Sequence, residues 1–458
     1  MRGYWTGILL FFTLLESQSQ VVQRIDIIGN KTTKKKIIVR ELSFSVGETI
    51  IANDTTEHKI KSENNLFNTS LFNFTKINFK DSLGNWVVLV ELQERWYLWP
   101  EVIVKFQERN FAEWWKNKNL SRVDFGFHLN KLNFFGLNQT LQANSYLGFT
   151  ESFGFQYKVP YFNKTLKDGF KISAEYATQN EVFVKIDNDE MVYIKNDSIP
   201  IQSALKFQLE YFRRTGFYQT QFFNVRFVKL KGWDILSPLS ETYFGNSNSS
   251  LQFINLSYRY KFDKRFSQNY PLNGYFFDVQ LDQFGLGNVD KSTIFVTRLL
   301  SSYRKYWKIN HRYFFAGGAY LNHYFNQSTP FYLQGGLGFS SYVRGFEPYI
   351  IYGKTSGLVK TNFKTKLLKS KAFTIPMIKK IKKFSKIHFA AYWNCNLDIG
   401  YVHLPNPNSP SNTLVNQFLI GGGSGIDWVT YYDVVIRTEY SINQFGNTNF
   451  NISFVSPL

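Results

Sequence analysis

From about residue 100 onward the chain repeats one pattern, runs of roughly ten residues in which apolar and polar side chains alternate. A period of two belongs to the β-strand, whose successive side chains point to opposite faces. About ten residues is also the length that a tilted strand needs to cross a bilayer. Ala204 to Tyr211 places Leu205, Phe207, Leu209 and Tyr211 on one face and Lys206, Gln208 and Glu210 on the other. Tyr275, Phe277, Val279 and Leu281 stand opposite Asp278, Gln280 and Asp282. Leu141, Ala143, Ser145 and Leu147 alternate with Gln142 and Asn144, and Phe450, Ile452 and Phe454 with Asn451 and Ser453. A soluble sandwich alternates too, with its apolar face against a second sheet. Here the runs exceed the usual length of about five or six residues. Tyr, Phe and Trp also gather at their ends, where membrane interfaces would lie. The pattern therefore predicts an all-β transmembrane barrel.

Composition agrees with one oily face and one wet face. The chain holds 47 Phe, 28 Tyr and 10 Trp among 458 residues, yet its mean hydropathy is only −0.26. No segment approaches the roughly 18 uninterrupted apolar residues of a spanning helix, so a membrane crossing has to be made by strands. Candidate strands fall at 101–107, 122–130, 139–148, 152–160, 169–178, 203–213, 216–229 and 251–261. They continue at 275–284, 292–302, 311–322, 355–368, 387–402, 413–421, 427–440 and 447–456, which makes sixteen. An even number of antiparallel strands brings both chain ends to one side and sends the linker between residues 323 and 354 to the other.

The first hundred residues differ. Residues 1–19 carry Arg2, an apolar core from Ile8 to Leu15 and the small-x-small site Ser17-Gln18-Ser19, which together predict a cleaved signal peptide. Residues 20–97 read as a small α+β domain of order strand, helix, helix, strand, strand. Its first strand, Val21 to Ile28, ends at Gly29-Asn30. Helical spacing follows over 34–42 and 54–71, with Asp54 as N-cap, and then come strands over 74–79 and 86–92 joined by a turn at 81–85. The barrel is expected over 98–458. Cys395 is the only cysteine, so neither an internal disulfide nor a lipid-bearing cysteine after the signal is expected. A net charge of +19 would make nucleic acid a candidate for a soluble protein. Scattered through strands and loops, these lysines read instead as lumen and loop positions near anionic lipid head groups, and no nucleic-acid partner is expected. Gly422-Gly423-Ser424-Gly425-Ile426 lacks the last glycine of a nucleophile elbow and reads as a strand turn. The six histidines show no metal spacing, so no enzyme and no cofactor are expected.

In the long linker stands Val343-Arg344-Gly345-Phe346, followed by Glu347 and by Tyr352-Gly353-Lys354. This tetrapeptide resembles the signature of the BamA/TamA family of outer-membrane assembly and translocation barrels, placed between the eleventh and twelfth strands, where the strand count puts it. Tyr258 to Phe262, Asp263-Lys264-Arg265 and Tyr270-Pro271-Leu272-Asn273-Gly274-Tyr275 resemble the family's strand, periplasmic turn and following strand. Leu397-Asp398-Ile399-Gly400 resembles its barrel-wall motif, whose acid meets the loop arginine. Gly29-Asn30, Arg40-Glu41-Leu42 and the run from Leu66 to Phe72 resemble a polypeptide-transport-associated (POTRA) domain. The likeness spans nearly all of the mature chain.

Alternation alone turns Asp398 into the lumen, since Phe389, Trp393, Leu397 and Ile399 are apolar while Tyr392, Asn394 and Asn396 share the parity of Asp398. Its partner on that ground is solvent or a lumen lysine such as Lys360 or Lys364; the resemblance names Arg344. A planar guanidinium suits this task, because it holds a carboxylate through two hydrogen bonds. Gly345 allows a tight turn close to the wall, and Phe346 is expected to pack beneath the loop. Alanine at either Arg344 or Asp398 should weaken the barrel or its activity, and charge reversal of both should partly restore it.

The resemblance implies a bacterial outer-membrane protein that inserts or translocates other polypeptides, its POTRA domain in the periplasm. Expected partners are outer-membrane lipid, unfolded outer-membrane or secreted clients, and periplasmic chaperones or accessory lipoproteins. The mechanism it implies needs a weak seam between the first and last strands, here Val102, Val104 and Phe106 against Phe454 and Pro457, where proline removes a ladder hydrogen bond. A simple strand stop is the other reading of Pro457. The chain departs from the family in having a single POTRA-like domain, in ending Ser456-Pro457-Leu458 rather than on an aromatic, and in carrying Asn362 where relatives have an acid. The first departure favours a specialised role. The last leaves Asp398 as the principal lumen acid. A dedicated two-partner-type exporter and a passive outer-membrane pore are the competing functions.

Overall fold

The computed structural model describes residues 19–106, 120, 123–196, 198–245, 249–286, 294–326, 329–338, 341–374, 386–407, 412–430 and 435–454. Residues 1–18 of the expected signal peptide (1–19) and Pro457 lie outside that set. Two compact units emerge, one ending at Glu94 and the other beginning at Arg95.

The first unit is the expected α+β domain. It comprises β1 (Ser19–Ile28), α1 (Lys35–Val39), β2 (Thr49–Ile51), α2 (Thr55–Asn68), β3 (Phe72–Ser82) and β4 (Asn85–Glu94). The sheet order is β2-β1-β4-β3, with β1 parallel to β4 and the other two pairs antiparallel. Its core is Val22, Ile25, Ile37, Ile38, Leu66, Ile77, Val88 and Val90, all buried. The carboxylate of Glu94 accepts hydrogen bonds from Thr32 N, Thr33 N and Thr33 Oγ1, tying the end of β4 to the segment before α1. Two details differ from the sequence reading. Asp54 stands at the N-cap of α2 without a side-chain capping bond, because a 3-10 turn over Ala52–Asp54 leads into the helix. The three-residue β2 is too short to show a period.

The second unit is a sixteen-stranded antiparallel sheet. Its strands begin with β5 (Leu98–Phe106), β6 (Val123–Phe134), β7 (Gln139–Gly148), β8 (Thr150–Val159) and β9 (Asp168–Gln179). A hairpin of β10 (Glu181–Asp187) and β11 (Glu190–Lys195) stands apart as its own two-stranded sheet. The wall resumes with β12 (Gln202–Arg214), β13 (Gln219–Gly232), β14 (Ser250–Asp263), β15 (Gly274–Leu286), β16 (Val296–Lys308) and β17 (Tyr313–Tyr324), the short helix α3 (Ser240–Tyr243) lying between β13 and β14. The long linker contains the two-residue strands β18 (Gly336–Leu337) and β19 (Ile351–Tyr352). β20 (Thr355–Thr374), β21 (Lys386–His403), β22 (Phe418–Val429), β23 (Val435–Asn443) and β24 (Thr448–Phe454) complete the wall. Each wall strand pairs with the next along the chain.

One face of this sheet is apolar and exposed: Phe125 58%, Phe153 58%, Leu209 53%, Leu397 50% and Tyr440 55% of their surface is accessible. Such an unbroken apolar belt exceeds what soluble proteins expose, and it is the lipid face of a transmembrane barrel. No described helix is long and apolar enough to span a membrane.

Two wall strands depart most from their expected spans. The fourteenth and fifteenth were expected at 413–421 and 427–440 and occur at Phe418–Val429 and Val435–Asn443. Gly422 to Ile426, read as a turn, lies inside β22, with Leu397 opposite Gly422 and Asn396 opposite Gly423. Glycine usually punctuates a strand; here a Cβ on Gly422 or Gly425 would meet Asn396 O at 3.0 Å or Thr438 O at 2.2 Å on the flanking strands, and one on Gly423 would lie 3.3 Å from Cδ of Arg344 in the loop described below.

Candidate functional site

The wall strands β20 to β23 turn Lys360, Asp398, Gly400, Gly421, Gly423, Arg437 and Glu439 to the interior. The linker between β17 and β20 folds back onto this surface. Arg344 is 4% exposed and Asp398 is fully buried. Arg344 Nη1 donates to both carboxylate oxygens of Asp398, at 2.7 and 2.9 Å, and the Arg344 backbone N–H donates to Asp398 Oδ2 at 3.2 Å. Its Nε donates to Glu439 Oε1 at 2.8 Å. One guanidinium thus bridges two wall strands, β21 and β23. Burial alone would lower the Arg344 pKa, but the Asp398 and Glu439 carboxylates outweigh it and raise it above the ordinary value.

The wall is carved to let the loop this close. A Cβ on Gly421 would sit 1.7 Å from the Arg344 carbonyl oxygen, and one on Gly400 would sit 2.5 Å from Val343 Cγ2. Gly345 has φ +79°, a backbone conformation that side chains disfavour, and its own Cβ would meet the β23 backbone at 2.5 Å. Its carbonyl accepts a 2.7 Å bond from Asn443 Nδ2. Val343 and Phe346, each 1% exposed, are packed with Leu337, Ile351, Leu358, Val402, Leu414, Val415 and Leu419. Glu347 follows; its Oε1 accepts from Ser441 Oγ at 3.0 Å, and burial, reinforced by Glu439, pushes its pKa above the usual carboxyl range.

Of the lysines weighed as partners for Asp398, Lys360 approaches to 3.5 Å and also donates to the Tyr342 carbonyl, whereas Lys364 lies 3.7 Å from Asp427 instead. The lumen network is wider than Asn362 suggested. Arg437 grips Asp427 through Nε and Nη2 at 2.6 and 2.9 Å, and Asn362, Asn394 and Asn396 form an amide ladder beside it. Sequence reading did not single out Glu439, Asp427 or Arg437. The parity of Arg437 and Glu439, opposite to that of Ile436, Tyr440 and Ile442, was the available signal.

At the seam, Val102 and Val104 are 83% and 49% exposed on the outer face of β5. Phe106 ends β5 opposite Val123, and Phe454 ends β24 opposite Ile436. Among the described residues no backbone pairing joins β5 to β24.

Solved structures of similar fold exist. A BamA from Haemophilus ducreyi lacking POTRA domains 1–3 aligns with a TM-score of 0.53 at 13% identity, over 95% of this chain and 83% of that one. The fold is that of the BamA-type barrels. CdiB from Escherichia coli aligns with a TM-score of 0.56 at 11% identity and CdiB from Acinetobacter baumannii with 0.51 at 12%, each over 95% of this chain and 74% of the other. No family model matches the sequence, and no curated protein matches it. At such identities the BamA-type likeness is one of fold.

Proposed function

We propose that the chain is an outer-membrane barrel that inserts or translocates other polypeptides, with client strands templated at the seam between β5 and β24 and the POTRA-like domain receiving them. The observation that carries this reading is the inward loop held by Arg344 within a wall whose terminal strands, β5 and β24, are not paired with each other among the described residues. A passive pore gains nothing from a buried arginine bridge in its lumen. A strand edge with free N–H and C=O groups is a template for an incoming strand. In the soluble domain, β3 and the short β2 are the sheet edges and offer the same chemistry to an extended client. The clients are unfolded outer-membrane or secreted proteins, and chaperones or accessory lipoproteins would deliver them.

A dedicated exporter is the second reading, favoured by the likeness to CdiB. Depletion in the native cell followed by a census of outer-membrane proteins tests both. Broad loss of barrels supports insertion, and loss of one secreted protein supports the exporter. An unchanged census with impaired small-solute uptake would refute both in favour of a pore.

A further inference from the structure

The turn between β14 and β15, residues 264–273, lies at the end of the barrel where β5 begins, opposite the Arg344 loop. It is built to fold inward. Arg265 doubles back onto Asp263 through Nε and Nη2, both at 2.7 Å, and its guanidinium lies 4.8 Å from the centre of the Phe276 ring. Tyr270 is thereby buried among Phe314, Ala390, Tyr392 and Val435, with Leu272 and Val429 packed alongside. Its hydroxyl donates to Asp427 Oδ2 at 2.9 Å.

Asp427 is fully buried and is the junction of two routes to the arginine loop. Along the first, Asp427 holds Arg437, Arg437 Nη1 lies 3.9 Å from Glu439 Oε2, and Glu439 holds Arg344. Along the second, Asn394 Nδ2 donates to Asp427, while Asn396 Nδ2 donates both to Asn394 Oδ1 and to Glu439 Oε2 at 2.7 Å. Apolar residues of equal volume would hold a static plug as well as this buried charge does, and buried ion pairs are a weak source of stability. Their better-attested use is to specify one arrangement that can give way to another.

We propose that the 264–273 turn is an inner gate, latched through Asp427 and Glu439 to the Arg344 loop, so that release at either end loosens the other. This deepens the reading of the barrel as a device that opens for polypeptides, and Tyr270 is its positioning residue.

The test uses the full chain in proteoliposomes with Cys395→Ser and Leu272→Cys, probed with a membrane-impermeant maleimide. The docked turn shields position 272, so labelling is slow. Adding Tyr270→Phe, which removes only the hydroxyl, raises the rate several-fold, and so does adding Arg344→Ala at the opposite end. Together they raise it no further than the larger single effect. Glu439→Gln replaces Arg344→Ala if that variant loses the heat-modifiable mobility of a folded barrel. A rate that responds to Tyr270→Phe but not to the loop substitutions overturns the latch, and a rate indifferent to all of them overturns the gate. No client is needed, so this outcome is independent of the depletion census.

Discussion

Arg344→Ala isolates the bridge. The guanidinium makes three side-chain hydrogen bonds to two carboxylates that are themselves at most 4% exposed. Removing one partner of a buried pair costs about 3–5 kcal/mol, because the charges left behind are uncompensated. Lys360 at 3.5 Å from Asp398 and Arg437 at 3.9 Å from Glu439 offset part of that, which places Arg344→Ala near the lower end. Asp398→Ala leaves Arg344 on Glu439 and should cost less, about 2 kcal/mol. The assay is urea unfolding of the full chain in lipid vesicles, followed by tryptophan fluorescence, for both single variants and the double. A coupling near 2 kcal/mol is expected, and a value under about 0.5 kcal/mol would refute the bridge. Glu439 also changes one sequence-based expectation. Reversing the charges at 344 and 398 sets a carboxylate against Glu439, so the swap should not rescue the barrel.

Three further outcomes follow. Gly421→Ala pushes a methyl into the Arg344 carbonyl and should reproduce most of the Arg344→Ala loss in the same urea assay, whereas Gly357→Ala, with open space around it, should be neutral. Glu347 has a raised folded pKa, so its contribution is fully present below the ordinary carboxyl value of 4.5 and is lost as pH rises through the folded value. Thermal stability should therefore fall upward from about pH 4.5, and Glu347→Gln should flatten that slope. At the outer end of the barrel, Asp189 Oδ2 accepts from Thr413 N at 2.9 Å and Leu414 N at 3.2 Å, and its own carbonyl takes Ile350 N–H at 2.8 Å. Asp189→Ala should free the β10–β11 hairpin tip and raise single-channel conductance in planar bilayers; unchanged conductance would count against a closing role.

The wall was legible wherever alternation ran unbroken. The expected span 139–148 coincides with β7, and 203–213 falls within one residue of β12 at each end. Legibility failed where the interior needed something other than a regular polar row. The glycines of β22 looked like a turn because what they lie against is distant in sequence, the β21 and β23 backbones at Gly422 and Gly425 and, at Gly423, the side chain of Arg344 from nearly eighty residues away. The β10–β11 hairpin was missed because its apolar side chains Val182 and Val184 pack with Ile201, Leu236 and Phe244 rather than face lipid, so it is too short to be a spanning strand. Parity could turn Asp398 and Glu439 into the lumen, but parity cannot say that one arginine meets both. Only the folded loop brings them together.

The proposed mechanism requires the seam between β5 and β24 to open. Cysteine at Val102, paired in turn with cysteine at Phe450, Ile452 or Phe454 in a Cys395→Ser chain, allows a flexible bifunctional maleimide to staple β5 to β24 whatever their register. Stapled barrels should remain folded and membrane-integral yet lose insertion or secretion of clients, while the uncrosslinked variants stay active. Full activity after complete stapling would contradict the mechanism.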